Sequence, residues 1–176
     1  MSPILVVIFL AAAAARIASV VVSKRHERQL RKQGAVEYGA LNSALLALAH
    51  TVFYLAGLGE GWIRQTQFDA VSMIGLAVFI AAMLMLVWIV GLLGEVWTVK
   101  IMIAPNHPIS RHMLFRVIRH PNYFLNILPE LIGYALIFHA YLTLAIGLPV
   151  YLVILAIRIV QEEKAMRDLF RGTGAA

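Results

Sequence analysis

The chain has 176 residues, of which 61% are hydrophobic and only 14% charged, and it carries a formal net charge of +6. A soluble domain of this size has about a quarter charged residues and hides only about two thirds of its surface, so a water-solvated globule is excluded. With a mean hydropathy of +0.83 the solvent has to be lipid, and the lack of cysteine excludes disulfides, thiolate metal sites and cysteine nucleophiles.

A helix needs roughly 20 apolar residues to cross the hydrocarbon, so the length allows about four to six spans and one domain, residues 1–176. The first predicted span is 3–22. No side-chain charge precedes it, so it reads as a retained helix rather than a cleaved signal, although the alanine run 11–15 resembles a cleavage site. A basic stretch follows, with Lys24, Arg25, Arg28, Arg31 and Lys32, and then Gly34 and Gly39. The second span is 41–58, closed by Gly57, Gly59 and Gly61, and the third is 70–93. The longest polar stretch, 94–122, holds three prolines and three of the six histidines. The last apolar mass, 123–157, is too long for one span, and His139 near its middle points to a tight helical hairpin. The remainder, 158–176, begins as a continuation of the fifth helix.

Basic residues orient the bundle. Five lie after span one, four in the stretch after span three (Lys100, Arg111, Arg116, Arg119) and four at the C-terminal end (Arg158, Lys164, Arg167, Arg171), against Arg64 alone after span two. By the positive-inside rule the N-terminus is outside and the C-terminus cytosolic. The fold expected is therefore all-α: a polytopic membrane bundle of about five transmembrane helices. The +6 charge reads as topology and lipid-headgroup contact, not as a nucleic-acid surface.

Two charges fall inside the apolar runs. Arg16 lies six residues before Val22, about 9 Å deep, and Glu130 lies seven residues past Tyr123, about 10 Å deep. Tyr123, Asn126, Glu130 and Tyr134 form one stripe on a helix. Glu130 is expected to face inward and either pair with Arg16 or line a cavity; the competing reading has Arg16 snorkelling to the interface.

Chemistry concentrates in two segments of the predicted cytosolic side. One runs from Lys100 to Tyr123 and includes His107, His112, Arg116, Arg119, His120, Pro121 and Asn122; the other is Arg158 with Glu162 and Glu163. Arg158 and Glu162 are four apart, so on a helix they can share an ion pair. The histidines match no zinc-ligand spacing and no metal is expected.

The run Leu93-Gly94 with Trp97, then Arg119-His120-Pro121-Asn122-Tyr123, then Arg158-x-x-x-Glu162-Glu163, resembles the isoprenylcysteine carboxyl methyltransferase family over about residues 70–170, with a weaker match at Glu37-Tyr38-Gly39. The resemblance is to the small prokaryotic type and implies a multi-pass protein of the cell inner membrane that transfers a methyl group from S-adenosyl-L-methionine to a lipophilic acceptor, a carboxylate or a hydroxyl. It places the cofactor on Lys100, His107, Pro108, Ile109, Ser110, Phe115, His120, Pro121, Asn122, Tyr123 and Glu162, and the lipid substrate at Arg158, with Arg158 and Glu162 as the catalytic pair. Met113 and Phe115 stand where the family often has glycine and tyrosine, and its C-terminal Phe-Gly-x-x-Tyr pattern is reduced here to Phe170-Arg171. A sulfonium methyl is already activated, so transfer to a carboxylate needs alignment and desolvation; a hydroxyl acceptor needs a base, with Glu162 and His120 as candidates. Two other classes stay open at this level: a membrane reductase of the related sterol-reductase type using NADPH, and a non-catalytic transporter or scaffold.

Overall fold

The computed structural model describes residues 1–104 and 113–172. The chain begins with α1, Pro3–Lys32, whose 30 residues make a rod of about 45 Å. Its apolar part accounts for about 30 Å of that; the rest continues past Val22 as a charged stem, where the sequence suggested a link. The reason is composition. Residues 23–32 are mostly good helix formers, and Arg31 and Lys32 sit in the last turn, where cations favour the helix dipole. A three-residue strand, β1 (Val36–Tyr38), leads into α2 (Ala40–Ile63). After a turn comes α3 (Ala70–Leu93), whose N-cap residue Asp69 accepts a hydrogen bond from the Ser72 amide at 3.0 Å. A 3₁₀ turn, Gly94–Val96, precedes β2 (Ile101–Ile103), which pairs antiparallel with β1 in the register Val36 to Ile103 and Tyr38 to Ile101.

The short α4 (Met113–Val117) is followed by a π-helical turn (Asn122–Ile127) that runs into α5 (Leu128–Ile137). The chain then reverses at His139, which takes a left-handed φ of 51°, a conformation histidine tolerates better than most side chains. A second π-helical turn (Thr143–Gly147) opens α6 (Leu148–Gly172). The hairpin expected at His139 is present. Its corner is tied down by hydroxyls from the α2–α3 region: Thr66 donates to the Phe138 carbonyl at 3.1 Å and Ser72 to the Ile137 carbonyl at 2.9 Å.

Among the described residues four helices are long and apolar enough to cross a membrane: α1, α2, α3 and α6 with its π-helical lead. The remaining arm, the first π turn plus α5, is sixteen residues long and sits inside the others. Leu131, Tyr134, Ala135 and Ile137 have no exposed surface. Its tightest neighbour is α3. A Cβ added to Gly133 would meet the Phe79 amide nitrogen at 2.7 Å, and one added to Gly75 would meet the Ile137 amide nitrogen at 2.6 Å. Two backbones meet there because both helices offer glycine, the usual solution where lipid provides no hydrophobic drive for helix association.

The stripe Tyr123, Asn126, Glu130 and Tyr134 is buried throughout. Glu130 has no exposed surface and pairs with Arg16 of α1 through both carboxylate oxygens. Tyr54 of α2 also donates to Glu130, and His50 lies 3.3 Å from the same carboxylate. Tyr134 donates to the Tyr54 carbonyl at 2.7 Å and its ring stacks on that of Tyr54 at 4.2 Å. Arg16 therefore does not snorkel. Its partner is inside the bundle, and one buried carboxylate joins α1, α2 and α5.

Candidate active site

A cavity of about 600 Å³ opens where α3 and α6 end beside the β1–β2 ribbon. Its apolar side is Ile89, Leu93, Val96, Trp97, Ile101, Met102, Ile103 and Met166; its polar side is Lys100, Arg119, His120, Asn122, Tyr123, Arg158, Glu162, Glu163 and Arg167. The two segments singled out in the sequence thus share one cavity. Pro121 starts the arm leading to α5, so His120 is placed just before a helix start, and its carbonyl accepts from the Tyr123 amide at 3.1 Å.

At the centre are Tyr123, Arg158 and Glu162. The Tyr123 hydroxyl donates to Glu162 at 2.6 Å and accepts from Arg158 Nε at 3.2 Å. His120 stacks on Tyr123, with ring centroids 5.6 Å apart, and its two ring nitrogens face Glu162 at 3.6 Å and Glu163 at 3.5 Å. Hydrogen bonding to Glu162 raises the His120 pKa above the ordinary imidazole value; burial works against this, and Glu163 adds to it. The Arg158–Glu162 pair expected from the spacing of four is not formed. The Tyr123 hydroxyl lies between them and takes the carboxylate, while the guanidinium is drawn to other oxygens. Nη1 donates to the Ser43 hydroxyl at 2.5 Å and Nη2 to the Val99 carbonyl at 2.6 Å. Arg158 is 3% exposed.

Lys100 lines the cavity, but its ammonium is held from behind. It lies 3.1 Å from Glu37 of β1 and 3.7 Å from Glu27 of α1, and Arg31 also binds Glu37. Burial alone would raise the Glu37 pKa; hydrogen bonds from Lys100 and Arg31 override it and hold the carboxyl below its usual value. The side chains that brace the site from α1 and α2, namely Ser23, Glu27 and Ser43, escaped the sequence reading. Single serines and glutamates in a helix give no pattern, and only their places opposite Val99, Lys100 and Arg158 reveal them. His107, Pro108, Ile109 and Ser110 lie outside the described residues, as does the Phe115 side chain. Among the described residues no group of three or more metal-ligating side chains occurs.

The sequence model of the isoprenylcysteine carboxyl methyltransferase (ICMT) family matches residues 73–168, more than half of the chain. The chain belongs to the isoprenylcysteine carboxyl methyltransferase family. The ICMT match takes in every cavity-lining residue named above, while Ser23, Glu27, Glu37 and Ser43 fall before it. Two bacterial relatives are similar over nearly their full length. An uncharacterized protein of Haemophilus influenzae is 51% identical over 157 residues, 89% of this chain and 91% of the relative. The uncharacterized protein YpbQ of Bacillus subtilis is 28% identical over 153 residues, 87% of this chain and 90% of its own. No solved structure matches significantly. Membership in the ICMT family, together with four membrane-length apolar helices, makes this an integral membrane protein of methyltransferase-like function in a lipid environment.

Proposed function

We propose that the protein transfers a methyl group from S-adenosyl-L-methionine to a lipophilic acceptor, carboxylate or hydroxyl, at the cytosolic face of the cell inner membrane, with its N-terminus outside. The observation that carries the reading is a single cavity with an apolar wall on α3 and a polar wall built from His120, Asn122, Tyr123, Arg158 and Glu162. A space of about 600 Å³ is in the range of pockets for nucleoside-sized ligands. The chemistry of the lining suits that cofactor: stacked His120 and Tyr123 offer an aromatic face to adenine, and the buried His120 Nε2 has only the Glu163 carboxylate, 3.5 Å away, facing it among the described residues. His120, Pro121, Asn122, Tyr123 and Glu162 would hold it, with Lys100, His107 to Ser110 and Phe115 as further candidates. When bound, S-adenosyl-L-methionine supplies a methyl group already activated by its sulfonium.

The residues of the chain then have to align and dehydrate the acceptor. Ile89, Leu93 and Trp97 give the lipid chain an apolar wall and keep water from it. Arg158, at the junction of both walls, draws the acceptor oxygen. A carboxylate acceptor is ionised at neutral pH and releases no proton. From a hydroxyl acceptor the proton passes to Glu162 or, in its neutral form, to His120, whose Nδ1 lies 3.6 Å from that carboxylate.

The test is labelled-methyl transfer to a total lipid extract, with mass spectrometry of the product, alongside thermal unfolding with S-adenosylhomocysteine and with NADPH. S-adenosylhomocysteine should raise the melting temperature by mass action, and His120→Ala and Glu162→Ala should abolish the rise. Arg158→Lys keeps the charge but cannot reach three oxygens in three directions, so transfer should fall steeply while the shift survives. Protection by NADPH instead, or by neither ligand, overturns the reading.

A further inference from the structure

A buried arginine ordinarily finds a carboxylate, because an uncompensated charge in a low-dielectric interior is expensive. Arg158 does not. Its guanidinium is seated on three neutral oxygens, those of Ser43, Val99 and Tyr123, and among the described residues no carboxylate lies within ion-pair distance of it. Carboxylates are nearby, but each is engaged elsewhere: Glu162 with Tyr123 and His120, Glu163 with His120, and Glu27 and Glu37 with Lys100. Each guanidinium nitrogen has a neutral hydrogen-bond partner, and Glu162 meets Arg158 only across the Tyr123 hydroxyl, so no direct ion pair occupies the guanidinium.

The seat is set from the first two helices. The Ser43 hydroxyl donates to the Gly39 carbonyl at 3.1 Å, which turns its lone pairs toward Arg158 Nη1. Gly39 has a φ of +60°, and the place of its missing Cβ is occupied by the Gln161 side chain of α6, so α2 and α6 approach closely there. The Val99 backbone is held on both sides of its Cα: its amide donates to Ser23 Oγ of α1 at 2.9 Å, and its carbonyl accepts from Arg158. Neither serine lies in the segment that the family match covers.

We propose that Ser43 is a positioning residue that fixes Arg158 without cancelling its charge, so that the guanidinium is kept for the anionic or partly anionic oxygen of the acceptor. This rests on the methyltransferase reading above. Ser43 touches neither ligand in that scheme; it acts through Arg158, with Ser23 supporting the same guanidinium through Val99. An acidic side chain at position 43 would supply the missing carboxylate and compete with the acceptor.

The experiment uses the full chain in neutral detergent with laurate as an anionic amphiphile, dodecanol as its neutral counterpart and S-adenosylhomocysteine as cofactor probe. Laurate, and not dodecanol, should raise the melting temperature of the parent and of Ser43→Thr. Ser43→Asp should melt no lower than the parent and keep its response to S-adenosylhomocysteine, yet lose the laurate response and at least a hundredfold in methyl transfer to lipid extract. Ser43→Ala should lose about tenfold in kcat through misaligned Arg158, with Ser43→Thr restoring it. The proposal is overturned if laurate protects Ser43→Asp as well as the parent, if it fails to protect the parent, or if Ser43→Ala stays within twofold of the parent. Laurate protection without any methyl transfer by the parent would instead overturn the functional reading and leave the seat standing.

Discussion

The Arg16–Glu130 pair can be tested by a double-mutant cycle. Glu130→Gln keeps the shape of the side chain and an acceptor for Tyr54 but leaves Arg16 uncompensated in the hydrocarbon. Removing one member of a buried pair costs about 3–5 kcal/mol, and an unpaired arginine at the centre of a helix about 2.5–3.5 kcal/mol on insertion scales. A loss of about 3 kcal/mol is therefore expected for Glu130→Gln, and a similar one for Arg16→Met. The double variant loses the same contacts but leaves no lone charge, so it should be no worse than either single. The coupling is then about 3 kcal/mol, at the upper end for residues in contact. The assay is equilibrium unfolding in mixed micelles of dodecyl sulfate and neutral detergent, followed by fluorescence of the three tryptophans. Additivity within about 0.5 kcal/mol refutes the pairing, and an Arg16→Met loss below about 1 kcal/mol points back to a snorkelling arginine.

Two further outcomes follow from local geometry. His120 has a raised pKa because Glu162 and then Glu163 favour its charged form, so that contribution to stability is complete below the unfolded value of about 6.5 and is lost as pH rises through the folded value. The melting-temperature gap between parent and Glu162→Gln should therefore be widest below about pH 6.5 and narrow as the pH is raised through the elevated His120 value; a gap that does not change with pH contradicts this account. Gly133→Ala forces a methyl group against the α3 backbone and should cost about 1–3 kcal/mol, whereas Gly59→Ala, with no atom within 4 Å of the added Cβ, should be neutral or slightly stabilising. Equal effects in the same unfolding assay would deny the close approach of α3 and α5.

The sequence displays what is periodic or continuous. Hydropathy located the spans, His139 marked the reversal, and the seven- and eleven-residue offsets placed Glu130 and Tyr134 on the buried face with Tyr123. The site motifs met in one cavity because Arg119 to Tyr123 and Arg158 to Glu163 lie at the same end of an antiparallel hairpin, which the span count implies. Apart from Arg16 and Glu130, whose matched depths could be read from the chain, pairing over long separations leaves no such trace. Three-residue strands at Val36–Tyr38 and Ile101–Ile103 have too little alternation to be read. Lys100 turned to Glu37 and Glu27, and Arg158 to Ser43, because those partners come from α1, α2 and their link. A spacing of four also overstated the Arg158–Glu162 pair, since nothing within α6 reveals that Tyr123 separates them.

The shortness of the arm that ends in α5 bears on where the membrane surface meets the reaction. Sixteen residues rise about 24 Å at most, against about 30 Å of hydrocarbon. The far end is fastened at the hairpin corner by Thr66 and Ser72, so the shortfall of about 6 Å falls largely at the Pro121 end. With the other spans centred in the bilayer, the cavity would be a basin let into the leaflet, its floor below the level of the neighbouring lipid headgroups. Lifting an acyl chain out of a bilayer exposes methylenes at about 0.8 kcal/mol each, so a floor at that depth spares the tail several kcal/mol of contact with water. On the proposed methyltransferase reading, the water-soluble cofactor would descend to the acceptor, and the acceptor would react without leaving its own solvent.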